Sequence, residues 1–178
     1  MATTKWVLDP NHSEVSFKVK HLMVTNVSGS FNTFSVTAET TGDDFSNATV
    51  DFSADATSIS TNSEQRDEHL KSVDFFDAPN FPQITFKATG FEKKGSDEAF
   101  ELTGDLTIKG VTKSVKLNVE YGGVVKDPWG NTKAGFALTG KINRKDFGLN
   151  WNTMLETGGV MVSEDVRINS EIQLIKQP

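Results

Sequence analysis

The chain has 178 residues, near the usual size of one domain, so we expect a single domain over residues 1–178. Acidic residues outnumber basic ones by 24 to 18, and this balance argues against binding nucleic acid, which needs a basic face. The absence of cysteine excludes disulfides, zinc–thiolate sites, iron–sulfur clusters and thiol nucleophiles. No apolar run exceeds three residues, so we expect no integral membrane helix.

The N-terminal residues bear on localisation. Residues 1–6, MATTKW, lack the apolar stretch that a secretory signal peptide requires. We therefore expect a cytoplasmic protein, or a periplasmic one if the sequence is a trimmed mature form.

Alternation of apolar and polar residues dominates the sequence and predicts about eight β-strands. In chain order, the apolar positions are Val15, Phe17 and Val19; Val50, Phe52 and Ala54; Ile84, Phe86 and Ala88; Phe100, Leu102, Leu106 and Ile108; Val115, Leu117, Val119 and Tyr121; Phe136, Leu138 and Ile142; and Val166, Ile168, Ile172 and Leu174. Strands with one dry and one wet face pair antiparallel rather than parallel.

Such strands bury their dry faces either in a sandwich or by closing into a barrel. Eight strands are the number at which a closed barrel can hold one small ligand. We therefore expect an all-β fold, an eight-stranded antiparallel β-barrel with one short helix and an irregular lid segment. The inward rings are then Phe17, Phe52, Phe86, Phe100 and Phe136, which either fill a core or line a cavity.

One break in the strand pattern predicts the helix. Thr61 and Glu64 have the spacing of a capping box, so a helix is expected from about Asn62 to Lys71. The apolar residues at spacings of three, Leu70, Val73 and Phe76, would form one buried stripe.

A second break, residues 143–163, is rich in apolar residues without a strand period. Long irregular segments are uncommon in compact domains and are often functional. We expect Phe147, Trp151, Met154 and Leu155 to border the mouth of a cavity.

The polar residues give weak catalytic signals. Asp9, His12 and Ser13 include the residue types of a hydrolase triad, but three residues within five positions more often form a turn through side-chain bonds to the backbone. No pair of histidines has metal-ligand spacing, so no metal site and no catalytic residue are expected. His21 is better suited to be a lone polar anchor near a barrel mouth.

Two groups of opposite charges complete the candidate positions. They are Arg66-Asp67 on the helix and the run Arg144-Lys145-Asp146. Each is either a solvated face or loop clamp, or a polar rim at the entrance of a cavity.

Several segments, taken together and in order, resemble the YceI-like family of polyisoprenoid-binding proteins. The resemblance rests on residues 6–13, 17–21, 29–31, 58–61, 66–72, 75–77, 81–86, 104–112 and 144–148. It extends over nearly the whole chain.

The resemblance implies a lipocalin-like barrel whose lumen holds a long isoprenoid chain, such as a quinone or polyprenol tail. It also implies a homodimer, transport or sequestration rather than catalysis, and no cofactor other than the lipid ligand. The residues expected to contact the lipid are Phe17, Val19, His21, Phe31, Phe52, Ile84, Phe86, Phe100, Leu102, Leu106, Phe136, Leu138, Phe147, Trp151, Met154 and Leu155. The alternative is an enzyme that acts on a hydrophobic substrate in the barrel, with His12 or His21 as the base.

Overall fold

The computed structural model describes residues 3–21, 25–42, 44–95, 98–150 and 162–178. These residues form one helix, α1 (Glu64–Lys71), and one antiparallel sheet. The strands are β1 (Thr3–Leu8), β2 (Glu14–His21), β3 (Thr25–Phe31), β4 (Phe34–Thr41), β5 (Asp44–Asp55), β6 (Ile59–Ser60), β7 (Gln83–Lys93), β8 (Ala99–Ile108), β9 (Val111–Lys126), β10 (Thr132–Asn143) and β11 (Val162–Lys176). Short 3-10 turns occupy Pro10–His12, Ala56–Ser58 and Arg144–Phe147.

Eight of these strands close into a barrel, as the alternation predicts. The ring runs β1, β4, β5, β7, β8, β9, β10 and β11, and the pairing of β1 with β11 closes it. Apolar side chains on one face of every strand can then be buried without leaving a free sheet edge.

The remaining three strands extend the barrel beyond this ring. β2 follows β1, β3 precedes β4 and β6 follows β5 along the chain, each across a short break. These three strands pair in the order β11, β2, β3, β6. Backbone groups at the breaks form hydrogen bonds with each other. The Asn32 amide donates to the carbonyl of Ser58, and the Asp55 amide donates to the carbonyl of Thr33. Three long strands of the barrel are therefore each interrupted once, and each consists of two segments: β1 and β2, β3 and β4, and β5 and β6.

Glycines are needed where a ring crosses the inner face of the barrel. A Cβ on Gly104 of β8 would overlap the ring of Phe86 on β7, and a Cβ on Gly29 of β3 would overlap the ring of Phe17 on β2. Lys109 and Gly110 both have positive φ, 52° and 77°, which is the conformation of a tight two-residue hairpin turn between β8 and β9.

The helix begins later than the sequence predicts. Its N-cap is Ser63, whose hydroxyl accepts a hydrogen bond from the amide of Arg66, so the capping box assigned to Thr61 is wrong. Thr61 instead precedes the helix and bonds to Asp67 through its amide and its hydroxyl. The apolar stripe is also shorter than expected, because Val73 lies beyond the helix and is 68% exposed.

In the part of the chain that the structure describes, no helix is both long enough and apolar enough to cross a membrane.

Candidate functional site

A cavity of about 610 Å³ lies inside the barrel. This volume is within the roughly 300–1,000 Å³ that is typical of small-molecule sites. Its wall is built almost wholly from aliphatic and aromatic side chains, and none of its described lining residues is an aspartate or a glutamate. An apolar chain can therefore be buried here without the cost of desolvating a carboxylate.

Ten of the residues predicted to contact a ligand line this cavity. They are Phe17, Val19, Phe31, Phe52, Ile84, Phe86, Leu102, Leu106, Phe136 and Leu138. The parity of the strands is therefore correct at these positions, including the neighbouring rings of Phe52 and Phe86 in the register of β5 and β7.

Aromatic rings close one end of the cavity. The rings of Phe45, Phe91 and Phe136 face the lumen, and the Phe45 and Phe136 rings lie 5.0 Å apart edge to face. These three rings are the first layer of a six-ring cluster that we call the aromatic plug; its second layer is Trp6, Phe100 and Tyr121. Aromatic pairs at this spacing are stabilised beyond their buried area.

The second layer of the plug is Trp6, Phe100 and Tyr121, which pack behind the first and do not line the cavity. Trp6 is fully buried, and its indole N–H donates to the Thr40 hydroxyl at 2.9 Å. Phe100 stacks on Phe91 with ring centroids 4.6 Å apart. The expectation that Phe100 lines the lumen is therefore wrong, because Phe91 stands between it and the cavity.

The charged side chains of the lining gather at the opposite end, beside α1. Lys20, Gln65, Arg66, His69 and Arg144 form this polar rim, and its permanently charged members are all cations. On a chain of net charge −6, this local excess of positive charge makes the rim suitable for a polar or anionic group.

Arg66 is held in the rim by the residue before the helix. Its Nε donates to the Thr61 hydroxyl at 2.8 Å, and its Nη2 donates to the Thr61 carbonyl at 2.6 Å. Asp67 accepts from the same hydroxyl at 2.6 Å. Thr61 therefore fixes the guanidinium at the cavity, and Arg66 as a whole residue is exposed.

Arg144 has both roles that the sequence left open. It is 3% exposed and lines the cavity, and its guanidinium donates to the carbonyls of Leu149, Val162 and Ser163. Burial lowers the pKa of Arg144, against an opposing effect from Glu164. The side chain thus clamps the two ends of the β10–β11 connection and contributes to the rim.

His69 is a rim residue that the sequence reading did not select. Its Nε2 lies 2.9 Å from an Asp74 carboxylate oxygen, and its ring packs edge to face on Phe75. The sequence places His69 on the helix, but whether its side chain faces the barrel depends on how α1 packs against the strands.

Phe91 was missed for a local reason. The β7–β8 register shifts between Ala88 and Gly90, so the inward parity that holds at Phe86 is reversed by Phe91. A bulge of this kind changes which face a side chain occupies, and alternation alone cannot place it.

The other predicted contact residues are placed as follows. Phe147 is 1% exposed but does not line the cavity, whereas its neighbour Leu149 does. Trp151, Met154 and Leu155 lie outside the described residues, as does the side chain of His21.

Asp9, His12 and Ser13 form a turn between β1 and β2. The Asp9 carboxylate caps the 3-10 turn, accepts from the Asn11 amide and lies 2.8 Å from His12 Nδ1. The Ser13 hydroxyl donates to the Asp9 carbonyl. The Ser13 hydroxyl thus bonds to the backbone and not to the imidazole of His12, so the three residues lack triad geometry.

Lys133 connects this turn to the start of β10. Its ammonium lies 2.8 Å from Asp9 Oδ2 and 3.5 Å from Asp127 Oδ2. Burial acts to raise the pKa of Asp9, but hydrogen bonds from Lys133 and His12 outweigh it and hold that pKa below its usual range. The hydrogen bond to Asp9 raises the pKa of Lys133.

Among the described residues, no group of three or more His, Asp or Glu side chains is placed to hold a metal ion.

Comparison with known proteins places this geometry in a family. A family model described as the YceI-like domain matches residues 6–174. The UPF0312 protein SA2479 of Staphylococcus aureus strain N315 is 41% identical over 171 residues, which cover 96% of each chain. A crystal structure of the Campylobacter jejuni YCEI protein has a TM-score of 0.77 at 36% identity, covering 96% of this chain and 97% of that one.

Two more distant structures share the fold. Burkholderia cenocepacia BcnA has a TM-score of 0.80 at 22% identity, covering 93% of this chain and 98% of its own. A polyisoprenoid binding domain from Saccharophagus degradans has a TM-score of 0.67 at 14% identity, covering 97% of this chain and 98% of its own. At these identities the likeness concerns the barrel architecture.

Proposed function

Because the chain belongs to the YceI-like family, we propose that it binds a polyisoprenoid lipid in the barrel cavity and carries or sequesters it unchanged. The observation that supports this most is the chemistry of the cavity wall, which is apolar along its length and free of carboxylates among the described lining residues. The polyisoprenoid-binding description of the Saccharophagus degradans domain points to the same ligand class.

An isoprenoid chain fits this wall because it needs contact area rather than directional bonds. Each buried CH2-sized group contributes about 0.8 kcal/mol, while immobilising the ligand costs roughly 4–15 kcal/mol. A chain of several isoprene units therefore binds, whereas one or two units are too few. A branched, unsaturated chain also packs well against rings such as Phe17, Phe52 and Phe86.

The two ends of the cavity give the ligand a direction. We expect the terminal isoprene units to lie against Phe45, Phe91 and Phe136, and the head group to lie among Lys20, Arg66 and Arg144. A quinone offers carbonyl acceptors to these donors, and a polyprenol offers a hydroxyl. Either head group therefore reaches a donor without crossing the apolar part of the lumen.

The proposal does not include catalysis. His12 is bonded to Asp9, its side chain is 61% exposed, and it is not among the lining residues, so a substrate in the cavity does not meet it. The imidazole on the described cavity wall is that of His69. A His69→Ala variant should keep bound lipid chemically intact, as in the wild type, and lipid turnover that depends on His69 would instead favour an enzyme.

Two further properties belong to the proposal. We expect a homodimer and a cytoplasmic location, and size-exclusion chromatography with light scattering and cell fractionation measure them directly. Neither property is needed for the cavity to hold a lipid.

The central experiment identifies the ligand. The protein is purified without detergent, measured by native mass spectrometry, and then extracted with organic solvent so that the lipid fraction can be identified. A bound polyprenol or isoprenoid quinone is the expected result. Recovery of ligand-free protein that also fails to take up geranylgeraniol would refute the proposal.

A matched pair of variants on β5 assigns the lipid to the cavity. Ala48 is buried and lines the cavity, whereas the adjacent Thr49 is exposed on the outer face. Ala48→Phe should therefore reduce lipid occupancy by filling the lumen, and Thr49→Phe should leave it unchanged. Equal occupancy in both variants would place the lipid elsewhere.

A further inference from the structure

One part of the barrel wall is not made of paired strands. In the described residues, β6 pairs with β3, and β7 pairs with β5 and β8. The wall between β6 and β7 is formed by α1 and the segment Ser72–Pro82, which we call the side segment. No backbone ladder crosses this place, so it can open at lower cost than a wall closed by strand pairing.

The side segment is one layer thick between the cavity and the outside. Its residues Phe75 and Phe76 line the cavity. Val73 and Phe81 point outward, and they are 68% and 37% exposed. The same eleven residues therefore present an apolar surface to both the lumen and the solvent.

The outward residues form a continuous patch with the β8–β9 turn. Lys109 Nζ donates to the carbonyl of Val73 at 2.8 Å, and Gly110 lies against the ring of Phe81. We call Val73, Phe81 and Lys109 the outer patch. This patch combines an aliphatic side chain, an aromatic ring and a lysine. Membrane-binding surfaces use the same combination at the boundary between lipid chains and head groups.

We propose that the outer patch docks on the surface of a lipid bilayer, and that the isoprenoid passes between bilayer and cavity beside the side segment. This inference rests on the proposed function, since an isoprenoid chain is too apolar to cross water and must be transferred by contact. Two carboxylates lie near the patch: Asp74, 2.9 Å from His69 Nε2, and Asp77, which accepts from the Asn80 side-chain amide. They do not oppose docking on a zwitterionic surface, because such a surface has no net charge to repel them. Val73 and Phe81 enter the interface while Lys109 reaches the head groups.

The opposite end of the barrel has its own exposed apolar residues but offers no such path. Trp129 is 83% exposed and Val125 is 63% exposed on the β9–β10 hairpin. The aromatic plug separates that end from the lumen, so a bilayer bound there could not exchange an isoprenoid with the cavity. Trp129 is therefore a suitable control position, because its side chain is more exposed than that of Val73 or Phe81.

The experiment measures vesicle binding and lipid transfer in the full chain. Phosphatidylcholine vesicles loaded with geranylgeraniol are mixed with wild type, Val73→Asp, Val73→Trp, Phe81→Gln and Trp129→Asp proteins. Flotation reports binding, and separation of the protein from vesicles at timed intervals reports transfer. Thermal unfolding checks that each variant is folded.

We expect Val73→Asp to weaken vesicle binding and slow transfer by about tenfold, because it removes an aliphatic group that docking would bury in the bilayer and adds a charge. Phe81→Gln should act in the same direction, Val73→Trp should strengthen binding, and Trp129→Asp should leave both readouts unchanged. Uptake of geranylgeraniol from detergent micelles should be equal in all five proteins, because micelle delivery does not depend on docking.

Four results would overturn the docking. Unchanged transfer in Val73→Asp with normal micelle uptake removes the outer patch from the process but leaves lipid binding intact. A loss confined to Trp129→Asp assigns docking to the other end, and loss of self-association in Val73→Asp with normal transfer assigns the patch to a second copy of the chain. Failure of the wild type to take up the lipid from micelles refutes the proposed function itself and, with it, the docking.

Discussion

The two ends of the barrel are built from different kinds of side chain. At the plugged end, six rings pack in two layers, and Trp6 in the outer layer is fully buried. At the end beside α1, the wall contains three cations, and a helix replaces part of the strand ladder. Interlocked rings stabilise the fold, whereas polar side chains at an opening and backbone outside the strand ladder stabilise it less but can meet a ligand.

This difference indicates that the two ends of the barrel have different roles. We expect the plug to provide stability and the floor of the cavity, and the rim to provide access and polar recognition. Mutations at the two ends should therefore separate into those that change unfolding and those that change ligand exchange.

The largest effect on stability is expected in the plug. Trp6→Ala should lower the free energy of unfolding by about 3–5 kcal/mol, because it removes a fully buried ring and leaves a cavity. Urea denaturation measures the change. Trp129→Ala, at an exposed position on the same end, should stay within about 0.5 kcal/mol of wild type. Equal losses in the two variants would contradict the assignment of stability to the buried rings.

The ion cluster at the turn between β1 and β2 should give the next largest effect. Asp9→Asn removes a buried charge partner of Lys133 and should cost roughly 2–3 kcal/mol at neutral pH. Since the pKa of Asp9 is lowered in the folded state, its contribution is complete above the unfolded carboxyl value of about 3.9 and disappears as the pH falls through the folded value. Unfolding curves of wild type and variant should thus converge in acid, and a constant gap would contradict this account.

A smaller effect is expected at the start of α1. Ser63→Ala removes the N-cap and should destabilise the helix by about 1 kcal/mol, which hydrogen exchange of the α1 amides measures. Ser63→Asp should restore the protection because a carboxylate caps equally well. If Thr61→Ala affected the helix amides while Ser63→Ala did not, the cap would be at Thr61 after all.

The smallest effect on stability is expected at the rim. Arg66→Gln should change the free energy of unfolding by about 0.5 kcal/mol or less, because the side chain is exposed. The same variant should lower the affinity for an isoprenoid with a polar head group, measured by competition with geranylgeraniol. A large loss of stability together with unchanged affinity would make Arg66 a structural residue and remove the contrast between the ends.

Much of the barrel was predictable because strand parity is a local property. The rings of Phe17, Phe52, Phe86 and Phe136 all lie on the apolar parity of their strands and all line the cavity. Parity failed at Phe91 because a register shift between neighbouring strands is a property of the pair and not of either sequence.

The sequence by itself determined that the strands have one dry face, that they pair antiparallel, and that no thiol chemistry is possible. Only the tertiary structure decided that Phe100 stands behind Phe91 in a second layer, since layering depends on which rings meet across the barrel. The gathering of Lys20, Arg66 and Arg144 is likewise tertiary. These residues are far apart along the chain, and barrel closure with the docking of α1 brings their charges to one end of the same apolar space.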